Sequence, residues 1–186
     1  VVETIDTINR QVDDIKNLVD EFSNFARMPA PNIKEKNIKT IIDNVISLFD
    51  LETNKVNIDV NFKSLNCYVK CDESQINRVF NNLIINSIHS IESKFKNNLG
   101  GKIYIDGTKE DKFLRIKIID NGPGLFHDEE ELLRPYFSTK DKNIGTGLGL
   151  SIVEKIVSEH GGNFNIYNVE DKTGACSEFT LKLLDE

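Results

Sequence analysis

Three short stretches of this chain carry groups suited to holding a charged ligand. The first is Asn82, Asn86 and His89, spaced four and three residues apart and so on one face of a helix. A neutral amide oxygen suits Mg2+, a hard ion that takes oxygen ligands and keeps several waters. The second is Asp120-Asn121-Gly122-Pro123-Gly124, directly after the strand-like run Leu114 to Ile119. A carboxylate at a strand end can accept a hydrogen bond from an exocyclic amine such as that of adenine. The flanking glycines let the backbone approach a flat ring. The third is Gly145-Thr146-Gly147-Leu148-Gly149, entering a helical run at Ser151. Alternating glycines before a helix start leave free N–H groups and the positive dipole end, a ready phosphate site.

Each stretch also has a plainer reading. Asparagines align by chance in an asparagine-rich chain, strands exit into turns, and loops enter helices. The glycine loop is not a P-loop, which ends in Gly-Lys-Ser/Thr. Nor is it the dinucleotide fingerprint, because its last glycine comes too early and no strand leads into it.

The elements that must position these groups follow from periodicity. Asp72-Glu73-Ser74-Gln75 resembles a capping box, with Asp in place of Ser or Thr, opening a helix to about residue 96. Strands are expected near 102–108 and 113–120, a short helix near 128–133, and a helix over 148–159 stopped by Gly161-Gly162. Two more strands fall near 163–169 and 176–184. Upstream, Ile38, Ile41, Ile42, Val45 and Phe49 mark a helix. Val56, Ile58, Val60 and Phe62 alternate as a half-buried strand. Strands and helices interleave without a regular βαβ rhythm, which predicts an α+β, two-layer α/β sandwich.

Residues 1 to about 28 read as one long helix. Val1, Ile5, Ile8, Val12, Ile15, Val19, Phe22 and Ala26 form the seam of a coiled coil or bundle, widened by Leu18 and Phe25. That stripe needs a partner helix. Pro29 and Pro31 end it and set the domain boundary, giving residues 1–31 and 32–186.

The totals exclude several classes. A net charge of −7 with dispersed basic residues argues against nucleic-acid binding. No apolar run reaches the roughly 18 residues of a membrane span, so no membrane contact is expected from these residues. Three cysteines, an odd number, with no second Cys/His pair near Cys67 and Cys71, read as buried or free thiols in a reducing, cytoplasmic compartment.

Taken in order, the three stretches resemble the N, G1 and G2 boxes of the sensor histidine kinases, a branch of the gyrase, heat-shock chaperone, histidine kinase and mismatch-repair (GHKL) superfamily. Pro135-Tyr136-Phe137-Ser138-Thr139-Lys140 resembles the F box of that branch. Glu159-His160-Gly161-Gly162 and Gly174-Ala175-Cys176-Ser177-Glu178-Phe179 resemble its C-terminal pattern, with Cys176 where the family often has glycine. The resemblance spans about residues 33 to 184. It implies the Bergerat ATP-binding fold, a mixed sheet covered by helices and here preceded by one bundle-type helix, with ATP and Mg2+ as cofactors.

Carried over by position, the resemblance makes Asn86 the Mg2+ ligand and Asp120 the reader of the adenine amine. Gly122 and Gly124 line the base pocket, and Ser177 reaches the base through water. Gly145, Thr146, Gly147, Leu148 and Gly149 belong to the ATP lid and phosphate cradle, and Lys140 and His89 to the phosphate contacts. Gyrase-like ATPases place a water-activating glutamate four residues before the metal asparagine. Here that position is Asn82, an amide that cannot act as a general base near neutral pH. The resemblance therefore implies transfer of the γ-phosphoryl to a histidine rather than hydrolysis.

None of the three histidines, His89, His127 and His160, fits a phosphoacceptor on a bundle helix. The run Leu18 to Pro31 resembles the end of the dimerisation and phosphotransfer hairpin in NtrY-type nitrogen-regulation sensors. On that reading the chain is a fragment of an inner-membrane sensor, the acceptor lies on an upstream helix, and the full-length protein is a homodimer through the N-terminal helix. Its partner is then a response-regulator receiver domain. The alternatives are a regulatory ATP-binding module without phosphotransfer, or an anti-sigma-factor-type serine kinase.

Overall fold

The computed structural model describes residues 2–52, 56–62, 67–95, 100–133, 147–170 and 173–184. In chain order the elements are α1 (Val2–Ala26), β1 (Lys34–Asn37), α2 (Ile38–Glu52), β2 (Val56–Asn61), β3 (Tyr68–Cys71) and α3 (Glu73–Lys94). They continue with β4 (Gly101–Glu110), β5 (Phe113–Asp120), α4 (Glu129–Leu132), α5 (Gly149–Glu159), β6 (Phe164–Asn168) and β7 (Ala175–Lys182).

Five strands form one sheet in the order β2-β4-β5-β7-β6. Only the β2–β4 pair is parallel. Alternation along the central strands decides which face is covered. Leu114, Ile116, Ile118 and Asp120 of β5, with Phe179 and Leu181 of β7, are buried. The apolar ones join Ile41 and Val45 of α2, Val79, Phe80 and Leu83 of α3, and Ile152 and Ile156 of α5 in one core. Phe80 meets Phe179 edge to face, with centroids 5.5 Å apart. The opposite face carries Arg115, Lys117, Tyr167 and a buried Glu178 that they hold through ion pairs and a phenol hydrogen bond. The result is the expected mixed sheet in a two-layer α/β sandwich.

Three details depart from the sequence reading. β1, Lys-Glu-Lys-Asn, has no apolar alternation; its pairing with β3 in a separate two-stranded sheet defines it. β2 buries Val56, but Ile58 is half-buried and Val60 exposed, because an edge strand lies at the limit of the helical cover. The third departure is the capping box. Asp72 does cap α3, its Oδ1 accepting from Ser74 N and Gln75 N at 3.0 and 3.2 Å. The reciprocal bond is replaced, however: Gln75 Nε2 donates to Pro29 O at 3.0 Å, and Asp72 N donates to His160 Nε2 at 3.0 Å.

These substitutions tie the segment after α1 to the sandwich. Asn32 N donates to Asp72 Oδ2 at 2.9 Å. Lys155 of α5 donates to Phe25 O at 3.2 Å and lies 5.1 Å from the centroid of the Phe25 ring. Phe25, expected to widen the bundle stripe, packs instead on the core. Of the stripe's other described residues, Ile5, Ile8, Val12, Ile15, Val19 and Phe22 are exposed. Among the described residues no helix is long and apolar enough to cross a membrane.

Candidate functional site

The site is built on α3, whose apolar residues Ile76, Val79, Phe80, Leu83 and Ile84 are buried and fix its rotation. That rotation leaves Asn82, Asn86 and His89 half-buried. Asn82 turns its amide nitrogen back to Arg78 O at 2.8 Å. Its Oδ1 faces the start of α5, where a methyl group added at Gly149 would lie 3.0 Å from Asn82 Oδ1 and 3.9 Å from Asn86 Nδ2. Glycine is needed here for approach, not for a turn.

α5 begins with no side chain capping its first N–H groups. Unfilled helix N–H groups carry partial positive charge and favour an anion. Gly147 precedes them at φ 72°, a conformation glycine adopts without steric cost. Leu148 is fully buried in the core, so only its backbone is available to a ligand. Ser151 donates to Leu133 O at 3.0 Å, fixing the first turn of α5 against the end of α4. Lys140, Gly145, Thr146 and the Pro135 to Thr139 stretch lie outside the described residues.

Asp120 ends β5 at the other side of the site. It is 6% exposed, and its Oδ1 accepts from Gly122 N at 2.8 Å, Ser90 Oγ at 3.3 Å and Ala175 N at 3.5 Å. Burial pushes its carboxyl above the usual range, against the pull of these donors and of Ser87. The turn after it is closely fitted. A methyl group at Gly122 would lie 2.1 Å from Ser90 Oγ, and one at Gly124 would lie 2.7 Å from Asn168 Oδ1. Asn168 fixes Leu125 from both sides, accepting from its N–H at 2.6 Å and donating to its carbonyl at 3.1 Å. Ser177 is buried on β7, opposite Ile118 and Ile166 and two residues from Ala175.

The structure thus brings Asn82, Asn86 and Gly149 together, and separately Asp120, Gly122 and Ala175, with α3 spanning the two groups. It adds Ser90, Lys94 and Asn168, which the sequence reading missed, and sets Gly174 of the C-terminal pattern against the Asp120 carbonyl. Ser90 and Lys94 were accessible to it: Asn82, Asn86, Ser90 and Lys94 recur every four residues. That stripe is about 18 Å long at 1.5 Å rise per residue. Asn168 had no such signal, because its partner Leu125 lies 43 residues away in sequence.

The groups present fit a nucleotide with a divalent cation. A desolvated carboxylate suits an amine donor, amide oxygens suit a hard cation, and an uncapped helix start suits phosphate. A separate concavity of about 750 Å3 opens at the opposite end of β5, lined by Glu110, Phe113, Arg115, Gly161, Asn163 and Thr180. Its one arginine is already held by Glu110 and Glu178, so the chemistry is assigned to the Asp120 end.

The histidines differ sharply in surroundings. His160 is buried, with Nε2 accepting from Asp72 N and Nδ1 meeting Ile156 O at 2.7 Å, so both ring nitrogens are engaged. His127 pairs with Glu131 at 3.1 Å on the surface of α4. The three cysteines are free and buried. Burial, with Asp72 and Glu73 nearby, pushes the Cys71 thiol up to about 12.

Residues 71–185 match the model of the family described as histidine kinase-, DNA gyrase B-, and HSP90-like ATPase. The chain is 37% identical over 179 residues to nitrogen regulation protein NtrY of Azorhizobium caulinodans, covering 95% of this chain and 23% of that protein. It thus spans about a quarter of that relative's length. Among solved structures, the catalytic domain of histidine kinase ThkA superposes with a TM-score of 0.69 at 29% identity, over 81% of this chain and 95% of that one. The fold of histidine kinase ThkA in complex with response regulator protein TrrA also matches, with a TM-score of 0.75 at 24% identity, over 98% of this chain and 51% of that one.

Proposed function

Since the chain belongs to the family of histidine kinase-, DNA gyrase B-, and HSP90-like ATPases, we propose that it is the ATP-binding catalytic part of a sensor histidine kinase. It donates the γ-phosphoryl of ATP to a histidine other than the three it carries. The observation that supports this most is the pair Asn82 and Asn86 set against the uncapped start of α5. A site for phosphate is present there, and the position of a water-activating acid holds an amide instead.

Each group has a role in this reading. Asp120 accepts from the adenine amine, with Ser177 assisting through water. Gly122 and Gly124 admit the ring. Asn86 ligates Mg2+, and Asn82 and the backbone of Gly147, Leu148 and Gly149 face the phosphates, with His89, Lys140, Gly145 and Thr146 completing the cradle. Mg2+, when bound, neutralises charge on the transferring phosphoryl group, the main electrostatic demand of this reaction. The protein supplies position: α3 fixes base and phosphate contacts on one rigid body, so the γ-phosphoryl is presented in one place.

Residues 1–31 then form the second helix of a dimerisation hairpin, and residues 32–186 the ATP-binding unit. The open stripe Ile5 to Phe22 supports pairing with a helix of the hairpin, and through it a homodimer of the full-length protein. The fold shared with histidine kinase ThkA in complex with response regulator protein TrrA supports a response-regulator receiver domain as the next acceptor, and on this reading the chain is part of a membrane-anchored sensor. The test mixes the chain with Mg2+, γ-labelled ATP and a separate helical hairpin bearing a histidine. Label on that histidine, lost in Asn86→Ala, is the expected result. ATP binding without transfer to any hairpin or receiver domain would favour a purely regulatory module.

A further inference from the structure

The ammonium of Lys94, one turn beyond Ser90, reaches three oxygens. It donates to Asn121 O at 2.8 Å, to Gly122 O at 3.2 Å and to Thr173 Oγ1 at 2.6 Å. An ammonium has three donors, and these contacts use them all. The bonds join three segments: the last turn of α3, the turn after Asp120, and the approach to β7.

One of these contacts continues further. The carbonyl of Asn121 and the N–H of Gly122 belong to the same peptide group. That N–H donates to Asp120 Oδ1 at 2.8 Å. A cation at the carbonyl end polarises the peptide and strengthens its N–H as a donor, because hydrogen bonds in a chain reinforce one another. Lys94 is thereby linked to the Asp120 carboxylate through a single peptide unit. Its bond to Thr173 acts on the same centre from the other side: Gly174 is so close that an added methyl would lie 2.0 Å from Asp120 O, and the next residue, Ala175, donates to Asp120 Oδ1.

We propose that Lys94 is a positioning residue for base recognition, acting through the 121–122 peptide to hold the Asp120 carboxyl group aimed at the exocyclic amine of the purine. The proposal rests on the reading of Asp120 as the base-recognition group. It assigns Lys94 no contact with the nucleotide. Its effect therefore falls on discrimination between purines, not on overall affinity alone.

Calorimetric binding of ADP and of IDP to the full chain in Mg2+ tests this, since inosine carries a carbonyl where adenine has the amine. The wild-type chain is expected to prefer ADP. Lys94→Met should lower the ADP-over-IDP ratio about tenfold, the scale of one charge-assisted hydrogen bond. Lys94→Arg should retain most of the ratio, because it still donates to carbonyls. Thr173→Val, which removes one bond at an exposed position, should lower it about two- to threefold with the fold intact. An unchanged ratio in Lys94→Met, even with both affinities weakened equally, would overturn the proposal and leave Lys94 a structural clip. A wild-type chain without preference for ADP, or a preference that survives in Asp120→Asn, would overturn the reading of Asp120 itself and the role of Lys94 with it.

Discussion

The Ser90 hydroxyl donates to Asp120 Oδ1 across 3.3 Å, joining the helix of the amide pair to the strand of the buried carboxylate. Ser90 sits one turn from Asn86 on the same stripe, so a single rigid element aligns the two ends of the site. Replacing Asp120 by Asn should weaken adenine-nucleotide binding about ten- to hundredfold, the scale of a hydrogen bond to a charged group. Ser90→Ala, which removes one neutral donor, should cost about two- to tenfold. Calorimetry on both variants gives the comparison, and a larger loss for Ser90 than for Asp120 would contradict the assignment.

The fit between Gly122 and Ser90 gives a stability test. A methyl at Gly122 would lie 2.1 Å from Ser90 Oγ and 3.1 Å from the Ser90 backbone carbon. Gly122→Ala should destabilise the fold by about 1–3 kcal/mol, as overpacking does. Adding Ser90→Ala removes the nearest clash but leaves Asp120 Oδ1 at 2.8 Å and the Ser90 backbone carbon at 3.1 Å. The double variant in urea denaturation should therefore recover part of the loss, and simple additivity would count against the contact.

The pH dependence follows from the raised pKa of Asp120, caused first by burial. Its unfolded value is the ordinary one, so the proton is held more tightly in the folded state. The neutral form contributes stability that is fully present below the unfolded pKa and is lost as pH rises through the folded pKa. Nucleotide binding runs the other way, because accepting from an amine needs the carboxylate. On acidification ADP affinity should fall at a pH above the usual carboxylate range, while the Asp120 contribution to ligand-free stability rises. Asp120→Asn should flatten both effects.

Asp72 has the opposite sign. Burial would raise its pKa, but the N–H groups of Asn32, Gln75 and Ser74, with His160, outweigh it and the net shift is downward. The stability it supplies is present above the unfolded pKa and is lost as pH falls through the folded one. Asp72→Ala should cost about 1–2 kcal/mol, as loss of a helix cap does. It also frees Asn32 N, one of the bonds holding the segment after α1. Amide exchange at Asn32 should accelerate in this variant.

Free hydrolysis provides a fifth check. With Asn82 where a general base would stand, ATP turnover without an acceptor should stay below about 1 s⁻¹, slow for an enzyme. Asn82→Ala should weaken ATP binding through its phosphate contact without raising that rate. A faster rate that depends on Asn82 would require a hydrolytic role for it.

Much of the site could be read from local patterns. Asp120 stood out because an apolar strand ended on a carboxylate followed by glycines, and Asn86 because helical spacing aligned it with Asn82. Local pattern also exposed the stop at Gly161-Gly162, where Gly161 adopts φ 71°. Long-range pairing lay beyond it. Gln75 was read as closing a capping box, yet its amide finds Pro29, 46 residues away. Phe25 has the spacing of a bundle seam, but Lys155 and the core hold it. β1 has no strand-like composition and exists through its partner, as tertiary context often overrides propensity.

We propose that one Mg-ATP site spans α3, with the cation at Asn86 and the base at Asp120. Measuring ATP and ITP affinities with Mg2+ and with EDTA separates the two ends. The wild-type chain should bind ATP more weakly in EDTA and prefer ATP over ITP. Asn86→Ala should lose the Mg2+ dependence but keep the preference for ATP, whereas Asp120→Asn should lose the preference but keep the Mg2+ dependence. If both variants bind Mg-ATP as the wild-type chain does, the site is elsewhere and the account is contradicted.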